Sequence, residues 1–311
     1  MNCKIVALGG GVGAAKFLKG LYNIIDQGLT IVVNTGDDIN LYGLRISPDL
    51  DTVFYWICGK SNKNTGWGIE NDSFHCLSAL GDLGEETWFK VGDRDFATHI
   101  FRTMLRSNGV KPSGIIRKML SIYNIKGVNI LPMTDNDVET WVQTDEGEMH
   151  FQEYLVKNSM KPNVRGVIFK GVENALPAPG VIESIQEADL VIMCPSNPII
   201  SIGPILEIHG VREALRRTKA KKIAISPLVG GSPLKGPADK LMSGLGLDVS
   251  SRQIGLLYKD FLDILIIDNI DSHEVDSISE IGVQAFTKNI IISDASKSEE
   301  LAREVIKIGL N

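Results

Sequence analysis

Apolar residues fall into short solid blocks separated by stretches with a helical repeat, and this alternation organises the chain. Residues 4–8 form one such block and open onto glycines. Residues 14–25 then repeat apolar side chains every three to four positions, and Thr30–Asn34 is a second block. Strand, helix, strand in that order is a βαβ unit, which demands a parallel sheet with a right-handed crossover. Ser47-Pro-Asp-Leu-Asp51 opens a further helix, with Ser47 as N-cap and Pro48 at the first helical position. From Val164 the alternation resumes, predicting strands over 164–169, 189–194, 222–226, 263–267 and 289–293, and helices over 180–187, 210–218, 271–280 and 296–307. The stretch between differs in texture. It has helical repeats at 68–80, 93–107 and 113–122 without parallel-sheet strands, then a hairpin of 138–142 and 149–156 across Asp145–Gly147. The predicted fold is α/β: a Rossmann-like, mostly parallel sheet with helices on both faces. It is a single domain, 1–311, with its core in 1–59 and 164–311 and an inserted helical and hairpin cap at 60–163.

Composition narrows the class. A chain of 311 residues with 43% hydrophobic content can bury a sizeable core. The net charge of −6 argues against a nucleic-acid or membrane-surface binder, whose affinity rests on a broad basic face. Cys3, Cys58, Cys76 and Cys194 are scattered with no C-x-x-C pair, which fits buried thiols in a reducing cytoplasm better than a disulfide framework or zinc site. No apolar run reaches the length of a membrane span, and no signal-peptide pattern is evident at the start of the sequence.

Candidate chemistry gathers at the expected carboxyl ends of the strands, where ligands collect in such sheets. Gly9, Gly10, Gly11 and Gly13 lack a Cβ, and the helix behind them directs free N–H groups and a positive dipole end at whatever sits above, an anion site. Gly9, Gly11 and Ala14 satisfy G-x-G-x-x-G/A, a pattern shared by nucleotide loops and tight strand-to-helix turns. No Gly-Lys-Ser/Thr follows, so this is not a P-loop; Lys16 reads as a phosphate partner or as a solvated lysine. Strand two ends in Asn34-Thr-Gly-Asp-Asp38, where a dinucleotide fold would place an acid at the tip. Asp37 and Asp38 suit a metal-bound phosphate, and equally an ordinary turn. Asp49 has a sufficient role at a helix start, and Asp51, two residues on, faces elsewhere. Asp93 reads as the N-cap of the helix carrying His99; Trp67, Trp88 and Phe89 serve a planar ligand or the core. Two Pro-rich loops, 194–204 and 226–237, should flank the glycines.

Gly9–Gly13, Asn34-Thr-Gly-Asp-Asp38, Ser47-Pro-Asp-Leu-Asp51, Trp67-Gly-Ile-Glu-Asn-Asp72, Gly92-Asp-Arg-Asp95, Ser196-Asn-Pro198 and Ser226-Pro227, in this order, resemble the 2-phospho-L-lactate transferase family of coenzyme F420 biosynthesis. The likeness spans nearly the whole chain. It implies transfer of a 2-phospholactyl group from lactyl-2-diphospho-5′-guanosine to the deazaflavin 7,8-didemethyl-8-hydroxy-5-deazariboflavin, giving coenzyme F420-0 and GMP. It also implies magnesium dependence, a Rossmann-like core with an added helical region, and a homodimer. The family's deazaflavin-contacting aspartate and lysine match Asp51 and Lys90. On this reading Gly9, Gly10, Gly11, Gly13, Asn34, Thr35, Ser196, Asn197, Pro198, Ser226 and Pro227 hold the guanosine diphosphate portion. Asp37 and Asp38 would hold magnesium, with Asp38 and Asp51 serving catalysis and Asp51 orienting or deprotonating the acceptor hydroxyl. The loop reads Gly-Gly-Gly-Val-Gly where many members carry a threonine or second small residue, which removes a hydroxyl contact. Two rivals are a nucleotide-sugar-binding regulatory branch of the same superfamily and a nicotinamide dehydrogenase. The first shares the glycine loop and the Asn-Thr-Gly-Asp-Asp region. The second rests on G-x-G-x-x-A alone.

Overall fold

β1 (Ile5–Gly9) is buried along its length and passes through Gly10 into α1 (Gly11–Ile24), and β2 (Leu29–Val33) returns parallel beside it. A hairpin of β3 (Ile39–Leu41) and β4 (Leu44–Ile46) leads to α2 (Pro48–Ile57). Three helices follow, α3 (His75–Asp82), α4 (Asp93–Ser107) and α5 (Pro112–Ile122), and then β5 (Val128–Pro132). β6 (Glu139–Thr144), β7 (Gly147–His150) and β8 (Val164–Lys170) form a separate antiparallel sheet in the order β7-β6-β8. The chain continues through α6 (Val181–Glu187), β9 (Leu190–Met193), α7 (Gly203–Glu207), α8 (Val211–Arg217) and β10 (Lys221–Ile225). A short ribbon of β11 (Leu228–Val229) and β12 (Ser232–Pro233) precedes α9 (Ala238–Gly244) and α10 (Ser251–Tyr258). β13 (Ile264–Asp268), α11 (Val275–Ser279), β14 (Gln284–Lys288) and α12 (Ala295–Leu310) follow. This computed structural model describes residues 3–310; the expected domain limits 1 and 311 lie outside the described residues.

The central sheet is seven-stranded and wholly parallel, in the order β14-β13-β10-β9-β1-β2-β5. Successive side chains point to opposite faces, and both faces are covered. Ile5, Ala7, Ile31, Ile192 and Ile223 meet α1, α2, α5 and α12, while Val6, Leu8, Val191, Ala224 and Leu265 meet α6, α8 and α10. The fold is therefore α/β and Rossmann-like, with helices on both faces. α12 lies so close on α1 that a Cβ at Gly20 would stand 2.3 Å from Ser298 Oγ, and that hydroxyl donates to the Lys16 carbonyl at 2.5 Å. Strand order reverses between β1 and β9, and the loops leaving their carboxyl ends diverge to leave a crevice.

Several elements depart from the sequence expectation. Residues 60–163 were to contain no parallel strand, yet β5 lies there and forms the sheet edge beside β2, where Pro132 is tolerated because an edge strand need not donate on its outer side. β8 occupies the predicted 164–169 span but pairs antiparallel with β6, so the central sheet resumes only at β9. The hairpin's second strand ends at His150, and residues 151–157 wind into a helix with a π-helical stretch, Glu153–Lys157. β14 ends at Lys288, so the apolar run Ile290–Ile292 lies beyond the strand. α1 starts three residues earlier than Ala14, which puts Gly11 and Gly13 in its first turn. Asp93 does not cap its own helix: its carboxylate accepts from Ser73 Oγ and from the His75 and Cys76 amides at the head of α3. Asp72 accepts from the Arg94 and Asp95 amides at the head of α4, an exchange that fixes the two helices together.

Candidate active site

The crevice between the β1 and β9 loops widens into a cavity of about 880 Å³. Its floor is the glycine loop. The Gly10 amide donates to Ser196 Oγ at 3.3 Å, and that hydroxyl donates to the Gly10 carbonyl at 3.0 Å, which ties the two loops together. No side chain fits between them. A Cβ at Gly13 would lie 2.5 Å from the Pro195 carbonyl oxygen, one at Gly10 2.0 Å from Asp49 Oδ2, and Gly11 sits at φ 77°. Gly10, Gly11 and Gly13 face the cavity with the N-terminus of a fourteen-residue helix behind them, the arrangement that binds phosphate. Gly9 lies beneath, at the end of β1.

The Asn34–Asp38 segment divides between wall and interior. Asn34 is fully buried: its amide donates to Asp49 Oδ2 (2.9 Å) and the Ile200 carbonyl (3.2 Å), and its oxygen accepts from the Gly36 amide (2.8 Å). It therefore clips β2 to α2 and to the β9 loop and leaves no group for a ligand. Asp37 lines the cavity, and its Oδ1 is buried without a partner. Asp38 turns the other way, accepting from Ser47 Oγ at 2.7 Å and lying 3.4 Å from Arg45 Nε; with Thr35 it borders a second, very small cavity. The acid beside Asp37 in the wall is Asp49, which the sequence reading left to the helix dipole. Burial, then the Asp49 charge, pushes the Asp37 carboxyl well above its ordinary value; burial lifts Asp49 to about 6. Two cavity-facing carboxyl groups whose affinity for a proton is raised, one of them with an orphaned oxygen, fit a hard divalent cation that takes oxygen ligands.

A second polar cluster lies on α2 and α4. Asp51 is gripped through both oxygens by the Arg102 guanidinium, Nη1 at 3.0 Å from Oδ2 and Nη2 on Oδ1. His99 Nδ1 is 3.2 Å from Arg102 Nη1, and His99 Nε2 lies 3.4 Å from Asp95 Oδ1 without bonding it; that oxygen accepts the Tyr55 hydroxyl at 2.6 Å. Asp51, Asp95 and His99 present atoms within 4.8 Å of one another, a spacing that a metal accepts, but Arg102 already supplies the positive charge there. Burial and the neighbouring Asp51 raise Asp95 to about 7, and burial drops His99 to about 4.

The remaining wall mixes polar and aromatic groups. Asn197 caps the helical turn Pro198–Ile202 through its oxygen, accepting from the Ile199 and Ile200 amides, and its Nδ2 is left buried and unpartnered at the cavity. Pro198 stands behind it, outside the wall. Ser226 borders the cavity with Pro227, although its hydroxyl bonds Ser251 Oγ (2.9 Å) and the Leu228 amide (3.1 Å). Lys90 lines the cavity with Trp88 and Phe89, whose rings meet edge-on, and with Trp67. Lys235 reaches across to the Thr65 carbonyl at 2.9 Å and stands at the wall with Lys16. Beyond Asp49, the sequence reading assigned no role to Tyr55, Asp95, Gln152, Lys235 or Ile290–Ile292, all of which line the cavity. Two of these carried a signal: Asp95 in the quoted Gly92-Asp-Arg-Asp95 run and Lys235 in the Pro-rich loop 226–237.

The family model described as 2-phospho-L-lactate transferase CofD matches residues 5–309. The chain belongs to the 2-phospho-L-lactate transferase family. A 2-phospho-L-lactate transferase from Methanosarcina mazei is 40% identical over 304 residues, covering 97% of this chain and 99% of that one. A phosphoenolpyruvate transferase from Kitasatospora aureofaciens is 38% identical over 313 residues, covering 98% and 97%. The fold is shared with a solved UPF0052 protein from Bacillus halodurans, TM-score 0.66 at 14% identity, covering 98% of this chain and 99% of that one. Membership in the 2-phospho-L-lactate transferase family makes the chain a transferase of coenzyme F420 biosynthesis. Among the described residues no helix is long and apolar enough to cross a membrane.

Proposed function

We propose that this transferase moves a phosphate-linked three-carbon acid from a guanosine diphosphate carrier to 7,8-didemethyl-8-hydroxy-5-deazariboflavin, releasing GMP. In its lactyl form the donor is lactyl-2-diphospho-5′-guanosine and the product coenzyme F420-0. The observation that carries the reading is one cavity holding three things together. These are a glycine loop at a helix N-terminus, the paired acids Asp37 and Asp49, and an aromatic wall of Trp67, Trp88 and Phe89 beside Lys90.

The backbone of Gly10–Gly13 and the Asn197 amide would bind the diphosphate, while the aromatic wall and Lys90 would hold the planar acceptor. Asp37 and Asp49 would hold magnesium, which when bound neutralises charge on the diphosphate. The protein's share is alignment: the reaction needs the acceptor hydroxyl in line with the phosphorus and water kept out. We infer a homodimer from the family resemblance alone.

Incubating the protein with deazaflavin, magnesium and either the lactyl or the enolpyruvyl guanosine donor, followed by mass analysis, tests the reading. Both donors belong in the test because relatives named for both acids match at 40% and 38% identity. Binding of a uridine diphosphate sugar without any transfer would favour the regulatory branch instead.

A further inference from the structure

We propose that Asp95 is the base that receives the acceptor hydroxyl's proton, and that Tyr55 holds it for that task; the inference rests on the transfer reaction proposed above. The resemblance points to Asp51 for this step, but Asp51 is committed. Both its oxygens are taken by Arg102, so accepting a proton would undo a buried ion pair. Asp95 borders the same cavity with no Lys or Arg cation at bonding distance among the described residues. Among the described residues its one side-chain hydrogen bond is from the Tyr55 hydroxyl to Oδ1 at 2.6 Å; His99 Nε2 stands 3.4 Å away without bonding it.

Arg102 fixes what His99 can offer. A guanidinium only donates, so His99 Nδ1 at 3.2 Å must present its lone pair, and in a neutral ring the proton then sits on Nε2, turned toward Asp95. Burial keeps the ring neutral by lowering it to about 4. The groups facing Asp95 are Tyr55 and Asp51 from α2, His99 and Arg102 from α4, and Asp72 from the segment before α3. Burial first, then the Asp51 charge, raise its carboxyl to about 7 against the opposing Tyr55 bond and Arg102. A base poised there exchanges a proton at neutral pH without charging or uncharging an ion pair.

The proton balance asks for one such group. As the hydroxyl oxygen bonds to the phosphorus carrying the three-carbon acid, the bond from that phosphorus to the bridging oxygen of GMP breaks, and its electron pair leaves on GMP. A phosphate monoester has its second pKa near about 6, so GMP departs without needing a proton. The hydroxyl proton passes to Asp95 and from there to solvent.

Single-turnover and steady-state transfer to deazaflavin, followed from pH 5.5 to 9 in wild type, Asp95→Asn and Tyr55→Phe, tests this. The wild-type rate should rise through about pH 7 to a plateau. Asp95→Asn should lower kcat by about 10²–10⁴-fold and abolish that rise, with the guanosine diphosphate and deazaflavin dissociation constants unchanged. Tyr55→Phe removes the donor to the carboxylate, so it should move the rise to higher pH, a shift that a merely structural Tyr55 would not produce. An active wild type with Asp95→Asn near full rate, or with the pH rise intact, overturns the base assignment alone. A folded wild type that binds guanosine diphosphate yet transfers neither acid overturns the reaction and the base assignment with it.

Discussion

Asp51 and Arg102 form a buried two-pronged ion pair between α2 and α4, and each is nearly removed from solvent. Breaking such a pair strands a charge, which usually costs about 3–5 kcal/mol. Asp51→Asn should therefore lower unfolding free energy by that order, besides any effect on turnover. Urea denaturation checks it, and Asp51→Asn combined with Arg102→Met should regain part of the loss. A purely ligand-contacting Asp51 would leave the denaturation midpoint where it was.

The paired acids of the cavity wall give stability a pH dependence whose sign is fixed. Asp49 at about 6, and Asp37 above its usual range, bind more protons folded than unfolded, so their contribution to stability falls as pH rises from about 4 through 6. Asp38 at about 6 and Asp95 at about 7 act in the same sense, while His99, lowered to about 4, opposes them between its folded and ordinary values. The proposed magnesium would need the ionised acids. Its stabilisation should be small at pH 5 and large at pH 8, read as the rise in melting temperature on adding millimolar magnesium.

Asp37 and Asp38 should separate cleanly under substitution. Asp37→Asn and Asp49→Asn are expected to raise the magnesium concentration for half-maximal transfer at least tenfold with little change in melting temperature. Asp38→Asn removes the carboxylate beside Arg45 and should do the reverse. Magnesium titrations of initial rate, paired with thermal melts, distinguish the three variants.

The glycines differ in what a methyl group would meet. At Gly13 a Cβ meets the Pro195 carbonyl at 2.5 Å, so Gly13→Ala must push the β9 loop away and should cost tenfold or more in guanosine diphosphate affinity by calorimetry. At Gly11 the nearest atom is 3.9 Å away and only the left-handed backbone resists. Gly11→Ala should cost about 1–2 kcal/mol of stability and leave affinity within a few fold.

Lys90 and Trp88 border the cavity on its aromatic side. Lys90→Ala and Trp88→Ala should each weaken deazaflavin binding, by roughly 0.5–1.5 kcal/mol for the stacking ring, and leave guanosine diphosphate binding alone. A fluorescence titration with the deazaflavin resolves this difference.

What the chain disclosed in advance follows from which signals are local. β1, α1, β2 and α4 are written in periodicity alone, and the glycine loop in its composition. The β3–β4 hairpin was invisible because its turn uses Tyr42 and Gly43 at φ 55° and 73°, and Tyr-Gly carries none of the usual Asn-Gly signal. β5 was hidden by Asn129 and Pro132 within a five-residue edge strand. Ile290–Ile292 has the composition of a strand, yet after β14 the Ile290 amide bonds the Asp268 carboxylate and the run borders the cavity instead. That Asp49 stands in the cavity wall and Asp38 does not has a tertiary reason: which acid faces the cavity is decided by Arg45 and Asn34, contacts no local pattern records. The Asp51–Arg102–His99–Asp95 chain joins α2 to α4, with a sequence separation of 51 between Asp51 and Arg102, and no spacing rule reaches that far.

The position of β1 sets the order in which a ribosome can complete this protein. Ile5 pairs with Leu29 on one side and with Leu190 on the other, and α1 is covered by α12, whose Ser298 closes on Gly20. Synthesis at roughly 5–20 residues per second separates the emergence of β1 from that of β9 by about ten to forty seconds. Through that interval one edge of β1 stays unpaired and the exposed apolar face of α1 waits for a chaperone or for its own distant partner. The Gly10–Ser196 bonds that tie the two loops of the cavity floor form only after β9 has docked, so a nascent chain holds half of the proposed anion site, and a ligand there could not steer its early folding.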